Sequence, residues 1–154
     1  MKPRKIYIKC LFFLLTLLGF SACIPEAEIG LCAYGTPTAS YKVKGTAVSA
    51  QTKSPLPNIR VAMREPGFYV DTIAYAGHLF DTAYTDSNGS FNVEAIDFPY
   101  EKVVFYLDFT DPSGSYSAKR DSAVFENPQF KNGDGWHEGE AEQDVGAVEL
   151  DPAE

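Results

Sequence analysis

The sequence predicts a single antiparallel β-sandwich of about seven strands, and three observations carry that expectation. Apolar and polar residues alternate with period two along several stretches, the spacing of strands with one buried face. Turn chemistry separates these stretches: Asp86-Ser-Asn-Gly89 reads as a hairpin turn, and Asp111-Pro-Ser-Gly114 as a second turn of the same kind. No stretch carries the apolar spacing of an amphipathic helix, and the aromatic share of 14% suits strands.

The chain opens with a segment of another kind. Met1 to Lys9 is short and basic, and residues 11–20 form an apolar run. A helix needs ~20 apolar residues to cross a bilayer, so this run is too short and reads as a secretory signal. Ser21-Ala22-Cys23 then places small residues directly before a cysteine. The pattern resembles the bacterial lipobox, with Phe20 where most lipoboxes carry Leu. It implies that residues 1–22 are a signal peptide and that the Cys23 sulfur receives a diacylglycerol. Several acyl chains, at ~0.8 kcal/mol per buried methylene, hold a protein on a membrane far longer than one does.

The remaining cysteines follow from that reading. Cys10 leaves with the signal and Cys23 is taken by lipid, which leaves Cys32 alone and excludes an intramolecular disulfide or a site built on paired cysteines. A lone thiol outside the cytosol serves as a nucleophile or a modification target, and more often as a small packing residue.

Residues 23–40 read as a tether. Glu26 and Glu28 lie just behind the anchor. Acidic residues there resemble the export signal of some Bacteroidetes lipoproteins, which leaves the cell surface and the periplasmic face of the outer membrane both open.

Residues 41–154 are the expected sandwich. Val43, Gly45 and Ala47 alternate with Lys42, Lys44 and Thr46, and Ile59, Val61 and Met63 alternate with Asn58, Arg60 and Ala62. The same rhythm returns in Phe91, Val93 and Ala95 and in Val103, Phe105, Leu107 and Phe109. A strand through Tyr116 to Phe125 and a last one from Asp144 to Leu150 complete the count, and Arg64 to Phe80 reads as a long aromatic loop or irregular edge strand.

Charge excludes one class of partner. The whole chain carries a formal −8; four of its thirteen basic residues precede Cys23, so the mature part holds nine against 21 acidic residues, a net of −12. Phosphate backbones repel such a domain, and no nucleic-acid partner is expected.

Candidate chemistry is sparse. Asp134, Glu138, Glu140, Glu142 and Asp144 form an acid-dense stretch that reads as a solvated loop and, less favourably, as oxygen ligands for Ca²⁺ in a calcium-stabilised adhesion module. Trp136 reads either as a binding surface or as packing at the sandwich end. His78 and His137 are the only histidines, and no nucleophile-elbow pattern accompanies them. The residues call for no cofactor.

Val43-Lys-Gly45-Thr-Ala-Val, Ser54-Pro-Leu56-Pro-Asn-Ile59-Arg-Val61 and Thr85-Asp86-Ser-Asn-Gly89-Ser-Phe91 together resemble the carboxypeptidase regulatory-like, transthyretin-like sandwich. That superfamily includes a hydroxyisourate hydrolase whose signature ends Tyr-Arg-Gly-Ser; this chain ends Asp151-Pro-Ala-Glu154, so that activity is not supported. The block Tyr34-Gly-Thr-Pro37 and the ending Asp144-Val-Gly-Ala-Val-Glu-Leu150 resemble small Bacteroidetes lipoproteins that accompany a radical S-adenosylmethionine enzyme. The resemblance implies a cell-envelope location and that company, with two readings: a non-enzymatic binding or scaffold module among envelope proteins, or a polypeptide that the radical enzyme modifies.

Overall fold

The computed structural model describes residues 35–70 and 73–153, and all of their regular structure is strand. In order these are β1 (Thr38–Ser49), β2 (Arg60–Arg64), β3 (Phe68–Val70), β4 (Ile73–Tyr75), β5 (Leu79–Tyr84), β6 (Ser90–Asp97), β7 (Lys102–Thr110), β8 (Lys119–Glu126), β9 (Lys131–Asp134) and β10 (His137–Leu150). One four-stranded sheet runs β6-β1-β10-β9 and another β5-β2-β7-β8, while β3 and β4 pair as a small separate hairpin. The two large sheets face each other as the expected sandwich. Cys23 and Cys32 lie outside the described residues.

Alternation places the core. Tyr41, Val43 and Ala47 of β1, Phe91, Val93 and Ala95 of β6, and Val148 and Leu150 of β10 point inward from one sheet. Val61 and Met63 of β2, Phe105, Leu107 and Phe109 of β7, and Ala123 and Phe125 of β8 meet them from the other. Tyr41 sits at the centre of an aromatic cluster, with ring centroids 5.3 Å from Phe105, 5.2 Å from Phe125 and 5.5 Å from Phe130. These tilted and edge-on contacts add to the area that the rings bury. The alanines at 39, 95, 123 and 141, all buried, leave room for the rings opposite.

The connections depart from expectation in four places. First, Asp86–Gly89 is not a hairpin turn, because β5 and β6 belong to different sheets. Thr85 is pinned to the start of β2: its hydroxyl donates to the Leu56 carbonyl at 2.6 Å and accepts from the Ile59 amide at 2.9 Å. Four residues later Gly89, at φ 73, already lies on β1, where its carbonyl accepts from the Ala47 amide at 2.8 Å. The chain thus changes sheets within one turn, which the Asp86 carboxylate closes by accepting from the amides of Asn88 and Ser90. Turn chemistry reports a tight reversal, and the sheet to which the next strand adds is decided by packing.

Second, β10 pairs with β1 in parallel, whereas every other pairing is antiparallel. Strands β1 and β10 both start at the same end of the sandwich, Thr38 beside His137, and run away from it together. Third, the acid-dense stretch is a β9–β10 hairpin rather than a loop, so the last strand begins at His137, seven residues before its expected start. Fourth, Arg64 to Phe80 contains the β3–β4 hairpin, and β8 begins at Lys119, with Tyr116 making an isolated bridge to Pro152. Strand β1 itself opens at Thr38, inside the stretch assigned to the tether.

Two bulges let β10 stay on β1. The register gains one residue on β10 between Thr38 and Ser40 and again between Lys44 and Thr46. The second bulge carries Gly146 at φ 70, with its amide held by the Asp144 carboxylate at 2.8 Å. A one-residue bulge exchanges the two faces of a strand, so the inward set moves from Gly139 and Ala141 to Val148 and Leu150.

Candidate functional site

The end of the sandwich at which the chain enters differs from the rest of the surface. Here β1, β7 and β10 begin, β2, β6 and β8 finish, and Thr38 lies between the β6–β7 connection and the β9–β10 turn. The Thr38 amide donates to the Trp136 carbonyl at 2.9 Å, and Ala39 is paired with Asp97 on the opposite side. Strands stand ~4.8 Å apart, so Phe98 and Trp136 flank the entering chain at close range.

The residues of the β6–β7 connection explain its shape. Pro99 cannot donate to a ladder and ends the pairing after Asp97. The buried Tyr41 hydroxyl then reaches up from the core, donating to the Phe98 carbonyl at 2.7 Å and accepting from the Tyr100 amide at 2.9 Å. Burial pushes the Tyr41 phenol above its ordinary pKa, with nearby Asp97 adding to the rise against the Tyr100 amide, which lowers it. With the loop backbone held from below, its two rings turn outward and meet edge-on, centroids 5.9 Å apart. Phe98 is 45% exposed and Tyr100 42%.

Trp136 completes the rim from the other side, 56% exposed. Its position follows from Gly35: a Cβ there would come within 3.3 Å of the indole Cγ, so the entering chain lies directly against the ring. Ile96 and Leu79 also stand exposed at this end, so five of the seven large exposed hydrophobic side chains among the described residues are here. Beside them Glu65, Pro66, Asp97, Tyr100 and Lys102 line a shallow hollow of about 370 Å³. Glu65, Asp97, Glu101 and Asp134 make the rim acidic.

The sequence-predicted carboxylates do not gather at one point. Glu140 of β10 forms an ion pair with Lys42 of β1 and accepts from the Asn132 side-chain amide at 3.1 Å. The Lys42 ammonium, followed by Asn132, holds the Glu140 carboxyl below its ordinary pKa. Glu142 pairs in the same way with Lys44. Asp144 turns back to its own bulge, and Asp134 and Glu138 sit around the β9–β10 turn. Among the described residues no three His, Cys, Asp or Glu side chains converge in a metal-binding group.

The histidines stand apart in the same way. His137 Nδ1 lies 3.2 Å from the Thr38 hydroxyl, and His78 packs edge-on against Phe80 at 4.9 Å. Phe98 and Tyr100 escaped the sequence reading, although Phe98-Pro-Tyr100 carries a signal: two rings around a residue that must end a strand. Trp136 was legible as a surface candidate, and its proximity to the chain entry was not.

No family model matches the sequence, and no curated protein matches it either. Solved structures align with about three quarters of this chain. The C-terminal domain of the shaft pilin SpaA from Lactobacillus rhamnosus GG superposes on 74% of this chain and 98% of its own, with a TM-score of 0.42 at 12% identity. The Bacillus anthracis TIE protein aligns over 74% of this chain, which spans only 18% of that protein, with a TM-score of 0.46 at 13% identity. The 3-chlorocatechol 1,2-dioxygenase from Rhodococcus opacus 1CP gives 0.46 at 16% identity over 77% of this chain and 61% of the enzyme.

Proposed function

We propose that this chain is a lipid-anchored, non-enzymatic module of the bacterial outer membrane, whose sandwich serves as a binding or scaffold unit. The observation that carries the reading is the basic, apolar leader running into Ser21-Ala22-Cys23. The acidic stretch fits that reading, with Glu140 and Glu142 facing Lys42 and Lys44 and Asp144 turned to its own bulge. The anchor serves either membrane face, and other envelope proteins are the partners it implies.

The intact mass of the protein purified from its own host's membranes tests this. The expected result is the mass of residues 23–154 plus acyl groups, with peptide mapping that places them on Cys23. An unacylated Cys23 overturns the anchor. A further mass change on Cys32 or a tyrosine replaces the scaffold reading with the other one, in which a radical S-adenosylmethionine partner rewrites a side chain of this polypeptide. Hydrolysis of an ester, peptide or glycoside panel that disappears with His78→Ala or His137→Ala removes the non-enzymatic reading.

A further inference from the structure

The aromatic rim lies at the end of the sandwich to which the anchor is tied. Twelve Cα–Cα steps separate Cys23 from Gly35, a reach of at most about 40 Å. Strand β1 has twelve residues and spans a similar length, at ~3.3 Å per residue. Presenting the far end of the sandwich to the bilayer would require the whole tether to run back fully extended beside the domain. The entry end is therefore the one that a lipidated Cys23 brings to the membrane.

The two ends differ as a membrane contact requires. The far end is closed by polar turns, Thr52-Lys53-Ser54, Ser87-Asn88 and Ser113-Gly114-Ser115. The entry end presents Phe98, Tyr100, Trp136, Ile96 and Leu79. Trp and Tyr favour the headgroup level of a bilayer, where an amphipathic ring keeps one edge in contact with water. From the geometry we infer that this rim rests on the lipid headgroup layer and sets the sandwich upright on its anchor, an inference that builds on the lipidation of Cys23. The acids Glu65, Asp97, Glu101 and Asp134 around the rings repel an anionic surface, so the occupant is a zwitterionic headgroup layer.

Trp136 is the single tryptophan of the chain and reports on its own rim. The experiment takes the mature lipidated protein into phosphatidylcholine vesicles and measures quenching of Trp136 by aqueous iodide and by lipids spin-labelled near the headgroup. Iodide quenching falls severalfold relative to the acyl-free chain in buffer, and the labelled lipids quench strongly. Adding phosphatidylglycerol to the vesicles lowers the quenching by the spin-labelled lipids, the readout for this arm because an anionic surface itself repels iodide. The double variant Phe98→Ser/Tyr100→Ser restores iodide access in phosphatidylcholine vesicles while the protein still floats with them, its melting curve serving as the check that it folds.

Unchanged iodide access in vesicles that carry the floating protein overturns the headgroup contact and leaves the anchor standing. Protection in native membranes but not in protein-free vesicles assigns the rim to a protein partner and overturns the lipid occupant. A Cys23 without acyl groups in the intact mass overturns both the anchor and this inference.

Discussion

The Tyr41 hydroxyl joins the core of the sandwich to its aromatic rim: it donates to the Phe98 carbonyl at 2.7 Å and accepts from the Tyr100 amide at 2.9 Å. The ring below is wholly buried among Phe105, Phe125 and Phe130. One side chain of β1 therefore fixes the backbone of the β6–β7 connection to the packing of both sheets.

Removing that hydroxyl takes one hydrogen bond from each loop group and leaves the Tyr100 amide and the Phe98 carbonyl only their bond to each other, at 2.9 Å. Tyr41→Phe is expected to destabilise the domain by about 0.5–1.5 kcal/mol for each hydrogen bond lost. Urea unfolding checks it, with a lower midpoint and an unchanged slope. The phenol also gives an alkaline signature. Its pKa is raised on folding, so its contribution is complete below the unfolded tyrosine value of about 10 and is lost as pH rises through the higher folded one. In Tyr41→Phe the fall of stability across that alkaline window becomes shallower.

The two bulge glycines of β10 separate steric from conformational cost. A Cβ at Gly139, φ 112, would stand 2.1 Å from the Lys131 carbonyl oxygen, so Gly139→Ala must push β9 away. Gly146, φ 70, has open space around its Cβ position, so Gly146→Ala pays only for the left-handed backbone, about 1 kcal/mol. Thermal melts of the two variants are expected to show a small loss for Gly146→Ala and a clearly larger one for Gly139→Ala.

Asp111 gives the acid limb of the stability profile. Burial opposes its ionisation, but the Ser113 hydroxyl and the amides of Ser113, Ser115 and Tyr116 outweigh that and hold its carboxyl below the ordinary value. Its contribution is present above the unfolded aspartate value of about 3.9 and is lost as pH falls through the lower folded one. Asp111→Ala is expected to lower stability at neutral pH and to flatten the decline below pH ~4, measured by urea midpoints across that range.

Thr85 tests the sheet-to-sheet crossing. It is buried, and its hydroxyl serves both the Leu56 carbonyl and the Ile59 amide. Thr85→Val keeps the shape and removes both bonds, for an expected loss of about 1–3 kcal/mol, while Thr85→Ser retains most of the stability. Chemical denaturation of the pair distinguishes the hydrogen bonds from the packing.

Calcium should leave the melting temperature unchanged, as should chelator. Glu140 and Glu142 already face Lys42 and Lys44 across the β1–β10 pair, and Asp144 is turned to the Gly146 amide. A ligand bound by the folded state alone would raise the melting temperature with concentration, so a shift with added Ca²⁺ would contradict this arrangement.

What the residue order determined by itself is the alternation: which side chains of 41–47, 59–63, 91–95 and 103–109 turn inward, and hence that two sheets must bury them against each other. It also marked the turn at Asp86–Gly89 and the last strand's ending at Leu150, because positive-φ residues and β-branched runs act locally. Which strands pair was not legible, since period two is the same for a parallel neighbour, an antiparallel neighbour and a strand that has crossed to the other sheet. The parallel β1–β10 pair, the lysine partners of the acidic stretch and the grouping of Phe98, Tyr100 and Trp136 around the chain entry join residues tens of positions apart. Only the packing of the two sheets, centred on Tyr41, decided them, because each depends on which chain ends that packing brings to the same edge.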